Sequence, residues 1–90
     1  MYKVDYTNRF RKDVKRCQKR GLNIAKLQEA IRILEKEGAL PIQYKPHKLS
    51  SQYVGDWECH IEPNWLLVWR QNDTELTLLF LYTGTHSDLF

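Results

Sequence analysis

The sequence predicts an α+β fold of order β-α-α-β-β-β, a two-helix hairpin packed on one face of a twisted, mainly antiparallel sheet. Three observations carry this expectation. In the first half, apolar residues recur at helical spacing, as Phe10, Val14 and Cys17 and then as Ile24, Leu27, Ile31 and Leu34. The second half instead holds three runs rich in Val, Ile, Leu, Trp and Tyr, at 53–61, 65–72 and 75–83. Ninety residues leave room for one domain spanning 1–90 and no second core.

Each element has its own local warrant. Residues 2–6 alternate and carry Val and Tyr, which reads as a short first strand. Thr7 and Asn8 then offer cap oxygens to the orphan amides of a helix that Gly21 ends. Asn23 caps a second helix, stopped by Gly38 and Pro41. From 38 to 52 there is no clear period, so this stretch reads as a loop of about fifteen residues, a length that is usually functional in a compact domain. Glu62-Pro63-Asn64 and Asn72-Asp73-Thr74 mark turns between three consecutive antiparallel strands. On the first of these, Trp57, Cys59 and Ile61 point one way, and Glu58, His60 and Glu62 point toward a face the helices do not cover. The last strand is apolar on both faces, which predicts a central place.

Composition narrows the function classes. With 42% hydrophobic and 28% charged residues, disorder and low-complexity repeats are excluded. No apolar run approaches the ~18–20 residues of a bilayer crossing, and the first ten residues lack a signal peptide's apolar stretch, so we expect a cytoplasmic protein with no membrane partner. Cys17 and Cys59 lie far apart with no CxxC pair, as buried free thiols would. The formal charge is +3, yet residues 1–20 alone come to +6. There Arg9, Lys12, Arg16 and Lys19, spaced 3, 4 and 3 apart, form a helical stripe able to follow a phosphate backbone. A solvated helix face or an acidic protein partner fits the same stripe.

The chain has three histidines, at 47, 60 and 86, in a loop, a polar strand face and the tail. Folding can bring all three to one edge of the open sheet face. Gaps of 13 and 26 residues match no compact zinc motif, so we expect no metal and no cofactor. Metal-free RNA cleavage fits better. It needs a base for the ribose 2′-OH, an acid for the departing 5′-oxygen and a cation for charge on the phosphoryl oxygens, and Arg70 is a source of that cation. Glu58 and Glu62, expected on the face of His60, are read as solvated strand carboxylates able to influence that imidazole.

Three segments carry a family resemblance. Tyr44-Lys45-Pro46-His47-Lys48-Leu49-Ser50, then Cys59-His60-Ile61-Glu62-Pro63-Asn64-Trp65-Leu66-Leu67-Val68, and finally Thr83-Gly84-Thr85-His86-Ser87-Asp88-Leu89-Phe90 resemble the YafQ-type toxins of the RelE/ParE superfamily, in the family's order and spacing. The resemblance implies a microbial RNase-like fold and a ribosome-dependent endoribonuclease that cuts mRNA and is silenced by a cognate antitoxin. It also implies catalytic roles for His47, His60 and His86 and a base-stacking role for Phe90, while Trp65 reads mainly as packing. Arg9, Lys12, Arg16 and Lys19 are then the expected ribosome-docking stripe, and the free toxin is expected to be a monomer. His60 and His86 are the expected proton-transfer pair, with His47 binding phosphate or sharing that duty.

Two positions depart from the family pattern. Asn64 stands where an aspartate usually precedes the tryptophan, and Tyr82 stands where an arginine usually precedes the Thr-Gly-Thr-His segment. Asn64 can hydrogen-bond but accepts no proton at neutral pH. Losing the arginine removes a cation at the reacting phosphate, for which Arg70 or Lys48 are the expected substitutes, with the Tyr82 hydroxyl as a neutral donor. Activity weaker than the family norm follows. Two rival functions remain open at this point: a ParE-like gyrase inhibitor, and a degenerate member that only binds antitoxin.

Overall fold

The computed structural model describes residues 1–49 and 56–89. The chain runs β1 (Lys3–Tyr6), α1 (Asn8–Lys19), α2 (Ile24–Glu37), a 3-10 turn (Ile42–Tyr44), β2 (His47–Lys48), β3 (Asp56–Glu62), β4 (Trp65–Asn72), β5 (Thr77–Gly84) and α3 (His86–Leu89). The strands form one mixed sheet in the order β1-β5-β4-β3-β2. β1 lies parallel to β5, and the other neighbours are antiparallel.

The helices begin and end as their local chemistry dictates. Thr7 Oγ1 accepts from Phe10 N–H at 3.0 Å, and Asn23 Oδ1 accepts from Ala25 N–H at 3.1 Å. Gly38 closes α2 at φ 70°, where a Cβ would fall 2.5 Å from the Tyr2 ring. Two features depart from expectation: the irregular stretch contains the 3-10 turn and the two-residue β2, and the tail folds into α3. β5 lies inside the sheet between β1 and β4, as its two apolar faces predict. Strand residues expected at 53–55 lie outside the described residues.

Helices α1 and α2 supply Phe10, Cys17, Leu27, Ala30 and Leu34 to a core completed by Cys59, Ile61, Trp65, Leu67, Trp69, Leu78 and Phe80. Burying each large side chain contributes roughly 1.5–3 kcal/mol. Cys17 and Cys59 are free, and burial pushes both thiols up. The opposite sheet face is not bare. Leu66 and Val68 alternate outward from β4 and need apolar cover, so Tyr82, the α3 residue Leu89 and Leu49 pack on them. No helix among the described residues is long and apolar enough to cross a membrane.

Two bulges decide which side chains reach that second face. Val68 pairs with Tyr82 but Trp69 pairs with Phe80, leaving Leu81 as an extra residue. The alternation slips by one, and Tyr82 turns away from the helices. On β3, His60 pairs with Leu66 but Glu62 pairs with Trp65, so Ile61 is extra there. Glu62 therefore leaves the face of His60 and meets Lys26 of α2 at 2.9 Å.

β1 covers only residues 77–80 of β5, so the outer edge of residues 81–84 needs another partner. α1 provides it. The Thr7 hydroxyl donates to the Leu81 carbonyl at 2.6 Å, and the Thr83 N–H donates to Asp13 Oδ2 at 3.1 Å. Asp13 is 2% exposed and also takes a 2.9 Å bond from Arg16. Removing this carboxylate strands a buried amide and frees a guanidinium. Asp13→Ala is expected to cost about 3 kcal/mol in urea denaturation, and a loss below about 0.5 kcal/mol would mean the edge does not need it.

Candidate active site

The register lays the chemistry out in rows across the second face. His47 stands opposite Glu58, which pairs with Val68, which pairs with Tyr82. One step along, His60 pairs with Leu66, which pairs with Gly84, two residues before His86. Asp56 and Arg70 pair on the other side. His47 and His60 are diagonal neighbours across one strand pair, about 7–8 Å apart. His60 and Gly84 are two strand spacings apart, about 10 Å. His86, exposed, opens α3 at the end of that row.

His47 is held at both ring nitrogens. Nδ1 lies 3.1 Å from the Lys45 carbonyl and Nε2 lies 3.2 Å from Glu58 Oε1, whose side chain is only 7% exposed. A carbonyl only accepts, so Nδ1 carries the proton of that bond, and Nε2 faces the Glu58 carboxyl. Glu58 is therefore a buried partner of His47, not a solvated neighbour of His60. His60 Nδ1 lies 3.3 Å from the Pro63 carbonyl, which by the same logic leaves Nε2 as an acceptor in the neutral ring. Asn64 is exposed in the turn that follows.

The expected cations fall out differently. Arg70 donates through Nε and Nη2 to the buried Asp56 at 2.9 and 3.3 Å. Lys48, one residue from His47, points to the opposite side of the sheet, with Nζ 5.6 Å from the Trp57 ring. Neither stands ready for a phosphate beside the histidines. Of the basic stripe, Lys12 and Lys19 are exposed, whereas Arg9 and Arg16 flank Asp13. Arg9 also lies over the Tyr82 ring at 4.4 Å. Trp65 is buried, and its indole N–H donates to Thr83 Oγ1 at 2.9 Å, a packing role as expected. Phe90 lies outside the described residues.

The tail is fastened by a reciprocal cap. Asp88 Oδ2 accepts from the Thr85 N–H at 2.9 Å, and Thr85 Oγ1 accepts from the Asp88 N–H at 3.2 Å. Arg20 of α1 adds bonds of 2.6 and 3.2 Å to the same carboxylate. A Cβ at Gly84 would sit 2.9 Å from Asp88 Oδ2, so only glycine admits this closure.

Comparison with known proteins decides the family. The model of the family described as bacterial toxin of type II toxin–antitoxin system, YafQ, matches residues 2–90. This chain belongs to the YafQ toxin family. An mRNA interferase toxin YafQ of Escherichia coli strain B / BL21-DE3 is 39% identical over 88 residues, covering 97% of this chain and 94% of that protein. The crystal structure of YafQ from E. coli BL21(DE3) superposes with a TM-score of 0.92 at 36% identity, covering 100% of this chain and 99% of the other. The YafQ chain in a crystal structure of the E. coli DinJ–YafQ complex gives 0.91 at 37% identity, with 100% and 99% covered. The α+β class and the YafQ likeness are both borne out.

Three side-chain roles at this site escape sequence reasoning. Asp88 had a signal, since Thr85 and Asp88 stand at capping-box spacing. Glu58 had none, because β2 is too short to announce the register that faces it with His47. The contact of Arg9 with Tyr82 depends on a bulge that no pattern reveals.

The Arg20 guanidinium and the Thr85 amide hold the Asp88 carboxyl well below the usual carboxylate range. A depressed carboxylate stabilises the fold above its ordinary value of about 3.9 and loses that contribution as pH falls. Asp88→Asn is therefore expected to lower Tm at pH 7, with the gap to wild type narrowing steadily below about pH 4. A gap that stays constant with pH would show that charge on Asp88 does not fasten the tail.

Proposed function

We propose that the chain acts as its relatives named mRNA interferase do, cutting messenger RNA on the ribosome at the face that carries His47, Glu58, His60 and Tyr82. The observation that carries this reading is the strand register. It gathers two imidazoles and a buried carboxylate on one face, and α3 opens with His86 beyond the end of the His60 row.

The reaction is an in-line displacement. His60 Nε2 takes the proton of the ribose 2′-OH as that oxygen forms its bond to phosphorus. The bond from phosphorus to the 5′-oxygen breaks, and His86 gives its proton to the departing oxygen. The products are a 2′,3′-cyclic phosphate and a 5′-hydroxyl end. His47, oriented by Glu58 and by the Lys45 carbonyl, faces the non-bridging phosphate oxygens. Asn64, in the turn beside His60, offers a neutral hydrogen bond to the same nucleotide, and Phe90 offers a ring for a splayed base, a contact worth about 1–3 kcal/mol.

Lys12 and Lys19, exposed on α1, serve docking on ribosomal RNA. The cognate antitoxin is the proposed inhibitor, and the cytoplasm, where ribosomes work, is the proposed location.

The test is translation of a defined message with ribosomes and the purified protein, with and without a transition-metal chelator, followed by end mapping. Cuts within codons, cyclic-phosphate ends and indifference to the chelator are expected. His60→Gln and His86→Gln should each slow cleavage by about 10²–10⁴. An intact message with inhibited supercoiling would favour a gyrase inhibitor, and no effect on either would favour a protein that only binds antitoxin. In the same system, replacing Lys12 and Lys19 with Gln should weaken ribosome binding and reduce its salt slope by about 1–2. Unchanged binding at low and high salt would remove α1 from the docking surface.

A further inference from the structure

We propose that Arg9, carried on the Tyr82 ring, is the cation that meets the reacting phosphate on this face. The inference rests on the nuclease reading above and adds to it a residue that reaches the site from α1.

The argument is one of which guanidinium has donors to spare. Arg70 spends two donors on the buried Asp56 at 2.9 and 3.3 Å. Arg20 spends two on Asp88 at 2.6 and 3.2 Å. Arg16 bonds Asp13 at 2.9 Å, and its Nε is buried, 4.0 Å from Asp88 Oδ2, so it faces away from an incoming ligand. Arg9 approaches the same Asp13 no closer than 3.7 Å, beyond hydrogen-bond length, and its side chain is 52% exposed. A guanidinium has five N–H donors in a fixed fork that matches two phosphate oxygens, and those of Arg9 are not engaged by any carboxylate hydrogen bond among the described residues.

What Arg9 lacks in hydrogen bonds it gains in orientation. Its Cζ sits 4.4 Å from the centroid of Tyr82, itself 8% exposed and fixed against Val68 and Leu66. Cation–π contact with a buried ring holds the guanidinium plane without using its donors. The nearby Asp13, already shared by Arg16 and the Thr83 amide, limits how far the charge can swing. A cation held in place before the reaction stabilises developing negative charge without reorganising, and one such donor is worth about 10²–10³ in rate. Tyr82 is then the shelf for a charge that arrives from another element, in place of a charge carried at position 82 itself.

The experiment is single-turnover cleavage of ribosome-bound message at saturating ribosomes, beside a separate measurement of ribosome affinity. Arg9→Gln keeps most of the side-chain stem and is expected to lower the cleavage rate about 10²–10³-fold while changing ribosome affinity less than about threefold. Restoring the charge from the strand, in Arg9→Gln combined with Tyr82→Arg, is expected to recover at least about tenfold of that rate. Arg9→Lys, which keeps charge but not the planar fork, should fall between. Thermal melts of all variants separate a lost charge from a lost fold. A rate within about threefold of wild type, or a loss confined to ribosome affinity, overturns the proposal and returns Arg9 to the docking stripe; so does a double variant that melts normally and recovers nothing. A wild type that leaves the message intact sinks the nuclease reading instead.

Discussion

A buried carboxylate on the first helix holds the architecture of the working face. Asp13 stands in a place where an unpaired charge would be prohibitively costly, and three groups converge to offset that cost: the Thr83 amide, the Arg16 guanidinium and, at longer range, Arg9. The arrangement closes the edge of β5 that β1 is too short to cover. It also fixes where α1 lies along that strand, and so where its arginines project. Arg9 reaches Tyr82 and Arg16 reaches the neighbourhood of Gly84 because the helix is anchored between them. Sheet closure and site electrostatics are thus one interaction seen from two sides.

Much of this was legible from the chain. Helical spacing at Phe10, Val14 and Cys17, the caps Thr7 and Asn23, and the turn residues around Pro63 and Asp73 act over a few residues, and such local preferences agree with the final fold. The pairing of His47 with Glu58 was not legible. A strand of two residues has no period to read, and its register comes from contacts with β3. The bulges at Ile61 and Leu81 were hidden for a related reason. A single inserted residue reverses every later side chain on a strand, and nothing in composition marks it. That is why Glu62 was placed beside His60 when it belongs with Lys26, and why Tyr82 reaches a face that simple alternation would deny it.

The basic stripe illustrates how pattern and partner diverge. Four cations at helical spacing read as one surface, but the folded chain divides them by partner. Arg9 and Arg16 flank the buried Asp13, while Lys12 and Lys19 stay in solvent. Net charge therefore overstates what α1 can offer a polyanion, and the lysines remain the part of the stripe that salt can screen. On the proposed reading, the same division separates two jobs on one helix, long-range attraction by the lysines and short-range positioning by Arg9.

The two-residue β2 has a consequence for rhythm as well as shape. With so short a ladder joining it to β3, the segment bearing His47 can peel away and return at far lower cost than opening the strands beneath it. Loss of the His47–Glu58 alignment and global unfolding then run on separate clocks. A molecule can be fully folded while one short hem of backbone has yet to fall back against its neighbour.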